Sequence, residues 1–349
     1  MSSGPGYAGE AAEARIRLQR SVVIWSGLLI LTVAALFAAV GILNRELFSA
    51  SAFVRIYLQE LGSGDVAAAV DTPGVVLESG DEPGTGAAVL VNPDAINRFH
   101  DITEVSDTQI LPGRHRIVYS YVFDGIDGKP VPGQTEFDVV QTGSTLLVFP
   151  QWEFFRSPVA QGTVTVTHAS DFTAGGLEIA SADASAFRAS DTYDVLVPAL
   201  ITLGHRSRYL GANPVALTAT NTGTSTSAIV QVQPTTGFLD AVQSTVNGFL
   251  DECASQALLY PPGCPFGLDV NDRIASEPSW TMEKYPMLTI LAGHDSWIVP
   301  TASGSAHIAV DIRSLFDGTV STRDESVPFD VTFALTIQPD GSIGFAPRG

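Results

Sequence analysis

Val22–Leu43 reads VVIWSGLLILTVAALFAAVGIL, twenty-two residues without one charge. A helix of that length spans roughly 33 Å, enough to cross a hydrocarbon core of ~30 Å. Arg15, Arg17 and Arg20 precede it, and only Arg45, beside Glu46, follows closely. Basic flanks stay in the cytoplasm, so residues 1–21 are expected inside, as a short disordered tail, and residues 44–349 outside. A cleaved signal peptide would have an apolar region of about 7–15 residues. This run is longer, and the small residues Ser49-Ala50-Ser51-Ala52 stand well beyond its end. The expectation is a retained single-pass anchor over residues 22–43.

Composition constrains the exported part. The chain has 37 acidic and 18 basic residues. Without the cytoplasmic Glu10, Glu13, Arg15, Arg17 and Arg20, 35 acidic and 15 basic residues remain, a charge of about −20. Such a surface argues against nucleic acid and against direct adhesion to anionic lipid or wall polymer. Lys129 and Lys284 are the only lysines, a bias of high-GC bacterial genomes that says nothing of chemistry. Cys253 and Cys264 lie close together in the exported part, where a disulfide is permitted and a pair leaves no free thiol. A metal site would need more ligands at useful spacing. The pair is therefore expected to be a disulfide.

After the anchor, Phe53, Ile56, Tyr57 and Leu61 fall at helical spacing, with Ser51 as N-cap and Gly62 as stop. Asp65 caps a second short helix over Val66–Val70. Ile117, Tyr119, Tyr121 and Phe123 then alternate as a strand, Asp124–Gly133 is a turn, Glu136–Gln141 a further strand, and Leu146–Phe149 closes a first module over residues 44–150. Residues 151–234 are rich in Thr, Ser, Gly and Ala, with short alternating runs such as Val164/Val166 and Val230/Val232, and predict a small all-β sandwich. In residues 235–349, Leu239, Val242, Val246, Phe249 and Leu250 predict a helix face, and Phe329, Val331, Phe333, Leu335 and Ile337 a half-buried strand. Phe316-Asp317-Gly318 matches Phe123-Asp124-Gly125 after a similar strand, which suggests that the first and third modules are a distant duplication.

The opening FVRIYLQELGSGD (Phe53–Asp65) resembles the first helix and Gly-Asp turn of the nuclear-transport-factor-two-like and ketosteroid-isomerase-like superfamily. That resemblance implies an α+β roll, a helix seated in the concave face of a curved antiparallel sheet. Asp194-Val195-Leu196-Val197-Pro198 and Tyr209–Pro214 resemble envelope β-modules of the PEGA-like type, although Pro198 is followed by Ala199-Leu200-Ile201 where those have Pro-Gly-x-Tyr. Asp251-Glu252-Cys253 with Pro261-Pro262-Gly263-Cys264-Pro265-Phe266 resembles a segment of uncharacterised single-pass envelope proteins of actinobacteria, and that likeness implies no activity. The expected architecture is an α+β protein: a transmembrane helix, then two α+β rolls flanking a small all-β sandwich.

Motifs for chemistry are sparse. The histidines are isolated, and no HExxH, GxSxG, SxxK, Walker-type loop or GxGxxG occurs. His294-Asp295-Ser296 holds the residue types of a triad, but neighbours on a strand point to opposite faces. Asp269, Asn271 and Asp272 have calcium-like spacing, yet Arg273 follows and no glutamate closes the loop. The roll resemblance implies one enzymatic form: a carboxylate base and a hydrogen-bond donor in an apolar cup, for which Tyr57 with Asp101 or Asp138 are the candidates. The alternative for Tyr57 is a core side chain whose hydroxyl reaches a backbone carbonyl or water. No cofactor is expected. The expected role is a membrane-anchored, non-catalytic envelope adaptor with a protein partner. The alternative is a small-molecule-binding or isomerase-like roll. A filled core with an exposed patch favours the first and an open cup with a buried carboxylate the second.

Overall fold

The apolar run forms part of a long helix, α1 (Tyr7–Glu46). In the computed structural model, which describes residues 7–145, 149–183, 187–338 and 340–347, its segment Ser21–Ala39 has a mean hydropathy of 2.4 and is not buried against protein. It is long and apolar enough to span a membrane. The expected unordered tail is replaced from Tyr7 onward by helix, while residues 1–6 lie outside the described residues. The stretch Ala8–Arg20 is rich in alanine, glutamate, arginine and leucine, strong helix formers that let the helix continue past the apolar run.

The structure as a whole, α1 included, is mixed α+β but mostly strand, 47% against 21% helix. The first part begins with α2 (Ala50–Ser63). Its N-cap is Ser49, whose Oγ accepts from Ala52 N at 3.0 Å, and Ser51, the expected cap, is buried inside the helix. The helix stops at Gly64, not Gly62: Gly64 has φ +87°, which a side chain rarely adopts. Gly62 serves close approach instead, since a Cβ there would lie 2.8 Å from Phe99 O. Val54, Tyr57, Leu58 and Leu61 are buried, whereas Ile56, expected on the same face, is exposed. Asp65 caps α3 (Val66–Val70) as expected, accepting from Ala68 N at 3.2 Å.

Four antiparallel strands follow in sequential order: β1 (Phe99–Leu111), β2 (Arg114–Asp124), β3 (Pro130–Thr145) and β4 (Phe149–Phe154). Ile117, Tyr119, Tyr121 and Phe123 of β2 point into the core with Phe137 and Val139 of β3, under α2. Because β4 pairs with β3 up to Val139↔Phe154, the first sheet runs past the expected boundary at 150. Of the expected closing run, residues 146–148 lie outside the described residues.

The middle part contains two sheets. β5 (Val159–Thr167), β8 (Arg188–Leu196) and β11 (Ser225–Gln231) form one in the order β11-β5-β8, with β11 parallel to β5. β6 (Asp171–Ala174), β7 (Leu177–Ala180), β9 (Ala199–Arg206), β10 (Leu210–Ala219) and β12 (Gln233–Pro234) form the other, ordered β12-β10-β9-β6-β7. This part is fastened to the first by Asn97 N donating to Leu200 O (2.8 Å), a bridge between Ile96 and Ile201, and Thr135 Oγ1 donating to Thr220 O (2.9 Å). Asp194, which is buried, accepts from Ser79 N (3.0 Å) and Gln161 Nε2 (2.5 Å). The buried side chains form one continuous core through all three parts.

The third part opens with α4 (Thr236–Ala254), whose N-cap Thr235 accepts from Phe238 N at 3.3 Å. Its buried stripe is Phe238, Val242, Val246, Leu250 and Cys253. Phe249, expected in that core, is exposed, because the stripe is centred on Leu250 and its neighbour is rotated about 100° away. β13 (Arg273–Ile274), β14 (Ser279–Lys284) and β15 (Leu291–Ala292) all pair with one side of β16 (Trp297–Arg313). β17 (Val320–Ile337) lies on the other side, followed by β18 (Ile343–Pro347). Phe329, Val331 and Leu335 are buried as the alternation predicts, while Phe333 is half-buried against Phe345. The Cys253–Cys264 disulfide is present, with its Cα atoms 5.8 Å apart.

Candidate functional site

The cup of the first part is filled. Tyr57 is fully buried, and its hydroxyl donates to Val197 O at 2.8 Å. Its ring packs edge-on against Phe154 and Phe137, at centroid distances of 5.0 and 6.1 Å. Burial, with the nearby Tyr121 phenol adding to it, pushes its pKa well above the usual tyrosine value, so it remains a donor. The two carboxylates considered beside it stand elsewhere. Asp138 alternates with the buried Phe137 and Val139, so it faces the opposite side of β3, where Arg114 Nη2 (3.1 Å) and Arg116 Nε (3.2 Å) hold it. Asp101 is exposed at a bulge with φ +56° and pairs with His100 Nδ1 at 3.1 Å. Tyr57, Asp101 and Asp138 are not brought together.

The other considered groups have local partners. Asp272 Oδ1 accepts from Leu315 N at 3.1 Å and Asp269 accepts from the Tyr260 hydroxyl. His294, Asp295 and Ser296 lie in a tight turn closed by Gly293 N donating to Ser296 O at 2.8 Å. Among the described residues, no group of three or more His, Cys, Asp or Glu could hold a metal ion.

A cleft of about 440 Å³ lies where the middle part meets the third. One wall is aromatic: Trp297 and Phe187 meet edge-on at 5.5 Å between ring centroids, and His168 packs edge-on against Trp297 at 5.4 Å and tilted against Phe187 at 5.1 Å. His205, only 6% exposed, lines the same cleft from β9. Its Nδ1 lies 3.1 Å from Asp171 O and 3.2 Å from Asp171 Oδ2, while its buried Nε2 has no hydrogen-bond partner. Burial opposes the charged ring, but the hydrogen bonds and charge of Asp171, with the charge of Glu178, outweigh it and raise the His205 pKa. Asp171, Glu178, Asp295 and Arg206 place charges of both signs around the opening. Of this cleft, Asp295 and Ser296 are the residues the sequence offered as chemistry-bearing, while Leu335 and Ile337 belong to the strand that its alternation predicts. His205 carried a signal, since it occupies the inward register of β9 with Ile201 and Leu203.

A second feature is the tip of the β16–β17 hairpin. Phe316 is 99% exposed and Leu315 74%, with Val320 and Ile274 exposed beside them. Phe123 of the matching Phe-Asp-Gly sequence is fully buried in β2, whereas Phe316 lies in the turn between β16 and β17, so the two phenylalanines are not equivalent. Comparison with protein-family models, curated proteins and solved structures found no match.

Proposed function

We propose that the protein is a membrane-anchored extracytoplasmic adaptor of the cell envelope, non-catalytic, which docks a protein partner through the tip of its third part. The observation that carries this reading is the fully exposed Phe316 with Leu315, Val320 and Ile274 around it. Single exposed apolar residues are common, but a cluster on a projecting turn marks an interaction surface. The disulfide is of the kind that persists outside the cytoplasm, and the Arg15, Arg17 and Arg20 flank favours the N-terminus inside. The filled cup around Tyr57 weighs against the isomerase-like alternative.

The architecture fits two α+β rolls flanking a β-sandwich. Each outer part has a helix followed by an antiparallel meander, β1-β2-β3-β4 in the first and β13/β14/β15 on β16, then β17 and β18, in the third. The common order supports a duplication of a nuclear-transport-factor-two-like roll, with a PEGA-like module between the copies.

The test is photo-crosslinking in cells from position 316 of the full chain. An envelope protein should be crosslinked there and not from the exposed Asp127, and Leu315→Ser with Val320→Ser should abolish the adduct while the chain stays in the membrane. Protease added to wall-stripped cells should digest the C-terminal parts. A protected C-terminus would overturn the topology, and no adduct above the Asp127 control would overturn the docking surface.

A further inference from the structure

We propose that the corner where the anchor enters the first part is a lipid-contact surface, seated in the headgroup layer of the protein's own membrane. This rests on the anchor reading above and not on the hairpin tip.

The argument starts at the short connector. α1 ends at Glu46 and α2 begins at Ala50, so Leu47, Phe48 and Ser49 alone join them. The connector is fastened to the sheet through both backbone and side chain. Trp152 Nε1 of β4 donates to Phe48 O at 2.9 Å, and the Phe48 and Phe149 rings lie 4.4 Å apart between centroids. Phe149 is the first residue of β4 and pairs with Thr145, the last of β3. This end of the sheet, distant in sequence from the anchor, is thereby held against the point where the anchor ends.

Distance decides what covers it. The apolar run ends at Leu43, three helical residues before Glu46, a rise of about 4.5 Å. Phe48 follows two residues later, at most about 7 Å further on. The hydrocarbon edge is therefore within about 12 Å of Phe48. Headgroups occupy about 5–8 Å of that distance, which leaves a gap no longer than an aromatic side chain. Leu47 is 53% exposed, and Phe48, Phe149 and Trp152 are only half-buried, so the corner presents apolar surface at that depth. Amphipathic rings, tryptophan among them, are favoured at the membrane–water interface. The cations of the neighbouring β2 are already taken: Arg114 pairs with Asp138 at 3.1 Å and Arg116 with Glu136 at 3.0 Å. The contact therefore rests on apolar side chains and does not call for anionic lipid, in keeping with the acidic exterior.

The experiment uses the full chain in nanodiscs of phosphatidylcholine, with p-benzoylphenylalanine placed in turn at positions 25, 127 and 145. Trp25 lies in the apolar span, and a lipid adduct there reports the anchor itself. Thr145 and Asp127 are both exposed, but Asp127 stands in the turn before β3, roughly 50 Å away along that strand of 16 residues. Irradiation should give phospholipid adducts from 25 and 145 and none from 127, read by intact mass. Trp152→Phe keeps a ring and removes the donor to Phe48 O, and the thermal midpoint checks its folding. It should lower the adduct from 145 about tenfold, the equivalent of about 1.4 kcal/mol, and leave that from 25 unchanged. An adduct from 25 without one from 145 would overturn the seating and leave the anchor standing. No adduct from 25 would overturn the anchor reading and the seating with it. Equal yields from 127 and 145, or crosslinks from 145 to a second copy of the chain in place of lipid, would equally overturn the proposal. An unchanged yield in Trp152→Phe would overturn the tryptophan clamp as its cause.

Discussion

Replacing Tyr57 by phenylalanine separates a structural hydroxyl from a catalytic one. The hydroxyl donates to Val197 O at 2.8 Å, and the side chain is completely buried. The substitution keeps the ring against Phe154 and Phe137 and leaves the Val197 carbonyl without its partner. A buried group so orphaned costs about 1–3 kcal/mol. Tyr57→Ala removes the ring as well, and truncating a buried aromatic costs about 3–5 kcal/mol. For a chain of 349 residues each kcal/mol lowers the thermal midpoint by about 1–2 °C. Tyr57→Phe should therefore melt a few degrees below the parent chain in detergent micelles, and Tyr57→Ala further below. Hydrogen exchange should also rise at amides along β9, next to Val197. A Tyr57→Phe midpoint indistinguishable from the parent would refute the buried hydrogen bond. A midpoint as low as that of Tyr57→Ala would show that the hydroxyl, not ring packing, dominates.

Two more predictions concern the third and middle parts. Cys253→Ser with Cys264→Ser should lower stability by about 2–3 kcal/mol, the loop-closure contribution of a short ring, read as a shift in the urea midpoint. Two freely alkylated thiols in the native protein would contradict the bond itself. His205 has a raised pKa in the folded chain, so its contribution is fully present below the ordinary histidine value of about 6.5 and is lost as pH rises through the folded value. The groups facing it are Asp171 and Glu178, with Arg206 beside it and Asp295 across the cleft. The midpoint difference between the parent and His205→Gln should shrink on going from acid to alkaline pH; a difference that grows instead would reverse the sign of this linkage.

What the sequence made legible followed from periodicity. β2 was readable because Ile117, Tyr119, Tyr121 and Phe123 alternate with polar residues, and each of the four is buried. β1 was not, because all but two of its thirteen positions, Phe99 and Ile102, are exposed and it carries three register shifts, which leaves no apolar alternation to read. The face of α4 was legible at Val242, Val246 and Leu250, which are buried; Phe249 looks like a core residue by chemistry but is exposed, and the stripe starts at Phe238 rather than Leu239. The cleft was hidden for a different reason. His205 and Glu178 stand on different strands of the middle part and Asp295 in the third part, all far apart in sequence, so no spacing rule could join them. The shared core between the first two parts was equally unreadable, since its fastenings, such as Asn97 N to Leu200 O and the Tyr57 hydroxyl to Val197 O, join residues far apart in sequence.

The two meanders differ in one respect that bears on docking. β2 and β3 have 11 and 16 residues, whereas β16 and β17 have 17 and 18, so the third hairpin is the longer one. No residue of β17 from Val320 to Pro328 is buried, although Ile308, Val310 and Ile312 across from it on β16 are. β18 pairs only with Phe333–Ile337, which leaves the outer edge of the first half of β17 unpaired within the described residues. An open edge invites another strand, but this one carries Arg323, Asp324, Glu325 and Pro328, the residues that discourage such pairing. The tip has no such protection, with Leu315 and Phe316 placed outward and Asp272 holding the Leu315 amide. A partner is therefore expected to engage the apolar turn through side chains rather than extend the sheet. Substituting Pro328 should leave a Phe316 crosslink intact, whereas altering the tip should remove it.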